Sequence, residues 1–206
     1  MWAKTPFKVA DVGLNAILHR ANRDLLALAR RFGTPAEQAE IAARLDASAA
    51  AIDRLWNAAA GIYQSHDLIA GARIDAPTSA GLLPLWAGVA DGRLRALGAT
   101  LERWAERARF LVPSTAPDDA RFEPKRYWRG PIWGMMNMMI AEGLAEAGHH
   151  ALARRIKADT ARLVSNGFRE YFDPLTGDGL GGGHFSWTAA IALYWNLPDE
   201  VGVEAG

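Results

Sequence analysis

Apolar residues recur three and four apart from Leu14 to Phe32, through Ile17, Leu18, Ala21, Leu25 and Leu28. That spacing marks one face of a helix and predicts a long amphipathic helix over about 9–32 that buries this stripe. Gly33 follows as a left-handed stop. Thr34-Pro35-Ala36-Glu37 then carries a capping residue, a proline suited to the first helical position and the Glu of a capping box. The next apolar face is Ile41, Leu45, Ile52, Leu55, Trp56 and Ile62, so the two helices form a hairpin. Further helices are expected near Gly81–Val89, from an Asp91 cap to about Arg107, from Pro131 to about Gly148, and around Leu152–Val164. A last helix runs from a Ser186 cap to Pro198. No strand-period segment exceeds a few residues.

Short turns alternate with long polar connections, notably 63–79, 110–129 and 167–185. The expectation is an all-α chain, an α/α toroid with short turns on one rim and site-building loops on the other. No fixed-length repeat supports a regular solenoid.

Composition narrows the function. Lys plus Arg and Asp plus Glu both number 23 in 206 residues, so formal charge is zero. Nucleic acid or an anionic membrane is a poor partner for such a chain. Cysteine is absent, which removes disulfides, thiolate catalysis and Cys-ligated zinc. No apolar run reaches the roughly 18 residues of a membrane span, and 1–8 lack a signal-peptide pattern. A cytoplasmic chain without metal or cofactor is expected. The Gly181-Gly182-Gly183 run follows no strand and precedes no P-loop Lys. Met135, Met136, Met138 and Met139 suit gap filling in a core. His149-His150 suits a solvated helix junction.

Two loops concentrate unusual residues. Lys125 to Trp133 holds Tyr127, Trp128, Arg129, Gly130 and Trp133, with Asn137 one turn on. Indole faces suit sugar C–H surfaces, and Arg and Asn donate to hydroxyls; the same residues also suit a Trp-rich packing corner. The second loop places Glu170 between Arg169 and Tyr171, where a carboxylate can serve as a proton-transfer group or lie exposed; Asp173 follows. His184 is a candidate substrate contact. Asp11 and Asp75 suit either a site wall or a helix cap.

In chain order, four blocks stand out: Phe7 to Leu18, Arg73 to Leu85, Tyr127-Trp128-Arg129-Gly130-Pro131-Ile132-Trp133 with Asn137, and Gly167 to Gly177 with the later Phe185-Ser186-Trp187-Thr188-Ala189-Ala190. Together they resemble glycoside hydrolase family 63 and its relatives, which include mannosylglycerate and glucosylglycerate hydrolases. The resemblance covers Phe7 to Leu197. It implies an (α/α)6 barrel and inverting hydrolysis of an α-glycoside by two carboxyls roughly 6.5–9.5 Å apart. By motif position it assigns the general base to Glu170. It assigns substrate-lining roles to Tyr127, Trp128, Arg129, Gly130, Trp133 and Asn137, and places Trp187 in the last block.

The family's general acid is an Asp in a Trp-Asp-x-Ser-Pro-Arg type loop that precedes the first block. This sequence has no such motif, and it holds about half the helices of a twelve-helix barrel. Residues 1–206 are therefore expected to be the C-terminal half of the catalytic domain. Its partners would be a carbohydrate and either a complementary N-terminal half or a second copy, because half a toroid exposes inner helices. Two alternatives remain: an inactive fragment that binds sugar or a complementary chain, and a His-dependent sugar epimerase on a similar toroid.

Overall fold

The structure is a computed structural model that describes Thr5 and residues 8–195. Seven α-helices are present among these residues: α1 (Val12–Phe32), α2 (Pro35–Asp53), α3 (Leu83–Ala87), α4 (Leu94–Ala105), α5 (Gly134–Glu146), α6 (His150–Val164) and α7 (Ser186–Tyr194). Seven two-residue strands decorate the connections: β1 (Val9–Ala10), β2 (Trp56–Asn57), β3 (Ile62–Tyr63), β4 (His66–Asp67), β5 (Ala72–Arg73), β6 (Tyr171–Phe172) and β7 (Gly179–Leu180). All pairings are antiparallel, in the order β1-β4-β5, β2-β3 and β6-β7.

The helices form two layers. The inner row is α1, α3, α5 and α7, each packed on the next, with α2 behind α1 and α6 behind α5. Arg20 and Arg23 of α1 reach the last carbonyls of α3, at Trp86 and Ala87, and pair with Glu146 at the end of α5. Tyr194, at the end of α7, bonds to Glu142 of α5. The C-terminal ends of the inner helices thus gather on one rim, and their N-terminal ends on the other. The largest core cluster runs from Val12 through Ile62, Leu97, Trp104 and Ile140 to Ile156, which welds the row to its outer layer.

Several local expectations hold. The capping box at Thr34 and Glu37 forms, with Thr34 N–H donating to Glu37 Oε2 at 2.7 Å. Leu97, Leu101 and Trp104 of α4 are buried, and the 110–129 connection contains no α-helix. Gly148 and Gly167, after α5 and α6, adopt positive φ.

Others change. The first helix starts at Val12, capped by Asp11, because Val9–Ala10 pairs with β4. Gly33 is extended, with φ −97°, and no left-handed stop forms there; an added Cβ would meet Ala29 O at 2.9 Å, so the tight exit from the helix calls for glycine. The second helix ends at Asp53, and Trp56 to Tyr63 turn back as a hairpin. A 3-10 turn at Asp91–Arg93 precedes α4, whose N-cap position is Arg93. Ser186 begins α7, and Phe185 holds the N-cap position without a side-chain bond. Pro198, expected to end α7, lies outside the described residues.

The largest correction concerns α1. The expected core stripe is exposed: Leu14 by 67%, Leu18 by 54%, Leu28 by 57% and Phe32 by 75%. The face turned toward α2 and α3 is instead Val12, Ala16, His19, Asn22, Leu26 and Ala29. Ala16 and Ala29 are the small residues of this mixed face, and His19 Nδ1 meets Ser48 Oγ of α2 at 2.7 Å.

Candidate active site

The rim at the inner N-termini is organised by the extended segment 110–116. Two buried side chains hold it. Asn137 of α5 accepts from Val112 N–H at 2.9 Å and donates to Leu111 O at 2.9 Å and Thr160 Oγ1 at 2.8 Å. Asp159 of α6 accepts from Leu111 N–H at 3.1 Å. Beyond them, Ser114 Oγ accepts from Gly130 N–H and Thr115 Oγ1 donates to Trp128 O. The segment therefore carries the Tyr127–Trp133 loop as a strut.

Four aromatic rings meet on that loop. Trp128 and Trp133 stack with centroids 4.2 Å apart and planes 3° from parallel. Tyr171 covers Trp133 as well, at 5.1 Å and 30°. Tyr127 stands edge-on to Trp128, Trp133 and Tyr171. Trp133 is 3% exposed, and its Nε1–H donates to Tyr127 O. Both of its faces are covered, so it supports the platform. Trp128, 40% exposed, is the indole that meets solvent. Tyr127 adopts φ +42°, a conformation that disfavours a Cβ-bearing residue.

Glu170 lies immediately before β6. Its backbone pairs with Gly182, and Gly182 N–H donates to Glu170 Oε2 at 3.3 Å. Gly181 has φ +70°, and a Cβ there would lie 2.6 Å from Oε2. The glycine run is thus a close-fitting cradle for this carboxylate, a role the sequence did not suggest. Ile132 and Phe172 exchange two backbone hydrogen bonds, which stitch the aromatic loop to the Glu170 hairpin. Asp173, 1% exposed, accepts from Leu175 and Thr176 N–H and shapes the turn between β6 and β7.

A cavity of about 570 Å³ opens beside the platform. Trp128 lines it, together with Asp11, Leu14 and Ile17 of the α1 end, Ser79 and Leu83, Ser114, and Met135, Met136 and Met139 of α5. Glu170 is not among the lining residues described. Asp11 serves both roles considered for it: Oδ1 caps α1 by accepting from Leu14 N–H at 2.7 Å, and the residue also borders the cavity. Asp75 accepts from Gln64 and sits away from this cavity. The α1 and α5 N-termini bring partial positive charge to the same space, of roughly half an elementary charge each.

Of the residues expected to line a sugar, the structure brings Tyr127, Trp128 and Arg129 to the rim. Arg129 pairs with Glu123 at 2.8 Å. Gly130 and Asn137 are placed elsewhere. Gly130 is buried where an added Cβ would lie 2.3 Å from Glu123 O. Asn137 is 0% exposed with its amide fully engaged. Both shape the loop from within. His184 is exposed at φ +55°, and Trp187 is 54% exposed on the first turn of α7, beside Phe185. Sequence reasoning missed Ser114, Tyr171 and Gly181, whose roles depend on partners distant in sequence. No group of three or more His, Asp or Glu among the described residues is arranged to hold a metal ion, and no described helix is long and apolar enough to cross a membrane.

Residues 1–188 match the family model described as a mannosylglycerate hydrolase MGH1-like glycoside hydrolase domain. The chain belongs to that family. It is 51% identical to a mannosylglycerate hydrolase of Thermus thermophilus over 95% of this chain and 47% of that protein. It is 31% identical to a glucosylglycerate hydrolase of Mycolicibacterium hassiacum, over 92% of this chain and 44% of that one. The crystal structure of a T. thermophilus mannosylglycerate hydrolase of glycoside hydrolase family 63, in complex with Tris, superposes with TM-score 0.92 and 50% identity. The match covers 95% of this chain and 47% of that one. Neutral trehalase of Saccharomyces cerevisiae shares the fold alone, at TM-score 0.73 and 17% identity. The chain is thus part of an α/α toroid and spans about half the length of the curated relatives it matches.

Proposed function

We propose that this chain forms one half of the catalytic funnel of an inverting α-glycoside hydrolase acting on a glycosylglycerate, with Glu170 as general base. The observation that carries the reading is the fixed placement of Glu170. Its carboxylate is held by the Gly181–Gly182 backbone, and its hairpin is stitched to the Trp128 platform through Ile132 and Phe172. A base needs a defined position toward its water, and a sugar needs a flat apolar face next to it.

In this mechanism Trp128 receives one face of the sugar, while Tyr127 and Arg129 border it. Glu170 accepts a proton from water as that water attacks the anomeric carbon. The bond to the glycerate oxygen breaks, and a second carboxyl protonates the leaving oxygen from the opposite side. The half supplied by this chain lacks the motif of that second carboxyl, so the acid belongs to the complementary half. The positive ends of α1 and α5 favour an anionic aglycone such as glycerate. A soluble, cytoplasmic setting accords with such a substrate.

The missing acid motif also favours a second reading, an inactive fragment that binds sugar or a complementary chain. A chimera decides between them: this chain replaces the matched half of the T. thermophilus enzyme and is assayed on mannosylglycerate and glucosylglycerate. Turnover is expected, with Glu170→Gln lowering it by about 10²–10⁴-fold while substrate binding survives. An inert chimera supports the binding reading, and a Gln variant retaining more than about a tenth of the activity removes Glu170 as base.

A further inference from the structure

We propose that the groove between α5 and α6 is the docking site of this chain's own acidic tail, Asn196 to Glu204, which follows Trp195 and lies beyond the described residues. The docked tail is a strap on the rim where the inner helices end, away from Glu170 and Trp128. The proposal does not depend on the hydrolase reading.

The groove is small, about 230 Å³, with a floor of Ala141 and Ala145 of α5 and Ala153 of α6. Trp195 borders it, and Lys157 Nζ stands 5.8 Å from the centre of that indole. The wall is one face of α6, formed by His150, Arg154 and Lys157, spaced four and three apart and all exposed. Residues at that spacing are neighbours on a helix surface, where like charges repel. The two remaining arginines of α6 are matched, since Arg155 and Arg162 both pair with Asp159. Among the described residues, no carboxylate pairs with His150, Arg154 or Lys157. Glu142 also lines the groove, but it accepts from Trp86 Nε1–H at 3.2 Å and bonds to Tyr194. The basic face is therefore left without a counter-charge.

Charge and position identify the occupant. The segment Asn196-Leu197-Pro198-Asp199-Glu200-Val201-Gly202-Val203-Glu204 carries three carboxylates and no Lys or Arg. It also carries Leu197, Val201 and Val203, aliphatic side chains that suit a floor of alanines. The tail begins where the groove begins, because Trp195 is part of the lining. From Lys157 to His150 the basic face spans roughly 10 Å at 1.5 Å per residue. Nine residues of extended chain reach about 30 Å, so the tail covers that face with slack. Tethering holds it at a local concentration on the order of millimolar, which lets individually weak surface ion pairs act together. Helix α7 meets the Glu170 hairpin at its other end, where Thr188 Oγ1 donates to Arg169 O at 2.7 Å; the strap fastens the opposite end.

The chain has no cysteine, so a disulfide trap reads the docking directly. Val201→Cys is combined with Ala145→Cys in the groove, or with Ala151→Cys, exposed on the first turn of α6 and outside the lining described. Dilute protein is oxidised with glutathione disulfide, and the intrachain product is followed by mass spectrometry. The Ala145 pair should close at least about tenfold faster than the Ala151 pair. If Ala145→Cys unfolds the chain, as judged by circular dichroism, His150→Cys on the exposed wall takes its place. Reversing the tail with Asp199→Lys/Glu200→Lys/Glu204→Lys should erase the advantage, and adding Arg154→Glu/Lys157→Glu to that variant should restore it. Equal rates for the two pairs, a rate indifferent to tail charge, failure of the swapped charges to restore it, or disulfides formed mainly between chains would overturn the proposal.

Discussion

At the residue scale, Trp128 and Trp133 are one residue type, close in sequence, with opposite duties. Trp133 lies between Trp128 and Tyr171 and is 3% exposed, whereas Trp128 meets the cavity. Trp133→Ala should therefore lower stability by about 3–5 kcal/mol, the usual range for a truncated core aromatic. Trp128→Ala should cost much less in urea unfolding of the chain and should raise the sugar Kd of a completed protein. Equal losses of stability in the two variants would assign both rings to packing. From composition the Tyr-Trp-Arg-Gly block suited a sugar surface and a packing corner equally, and the division of labour within it was not legible. It depends on Tyr171, distant in the chain, and on a buried Asn137 that fastens residues 111 and 112.

Elements pose the question of which face packs where. Helix α1 carries two faces suited to burial, and the richer one is turned to solvent in this chain. Leu25→Ala should thus change stability of the isolated chain by less than about 0.5 kcal/mol, while Leu26→Ala, 8% exposed against α2, should cost about 2–4 kcal/mol. Chemical denaturation of both variants gives the comparison, and the reverse order would mean that the stripe is packed. The α1–α2 contact also carries a pH dependence. Burial, followed by the nearby Arg23 cation, holds His19 below the usual imidazole range. The folded state then binds fewer protons than the unfolded one. Stability from this group is complete above the unfolded pKa of about 6.5 and falls as pH drops from there toward the lowered folded value. The slope is at most about 1.4 kcal/mol per pH unit. Denaturation of wild type and His19→Gln at pH 7.5 and 5.5 should show the smaller acid loss in the variant.

For the whole molecule, the decisive observation is that the chain spans about half the length of the relatives it matches. The 206-residue chain alone should show no turnover of mannosylglycerate or glucosylglycerate above blank, because proton donation to the leaving oxygen typically contributes about 10²–10⁴-fold. Robust turnover abolished by Glu170→Gln would place both carboxyls in this chain and end the half-toroid account of catalysis. Helix content, the capping box, the long connections and the blocks that carry the family resemblance were all readable from the sequence. Each is written in local spacing, in capping chemistry over four residues, or in a contiguous motif. The tertiary structure alone decided which α1 face is covered, that Asn137 and Gly130 lie inside, and that a glycine run wraps a carboxylate. Periodicity reports that a face seeks burial but not which neighbour buries it; that is settled by packing between elements distant in the chain.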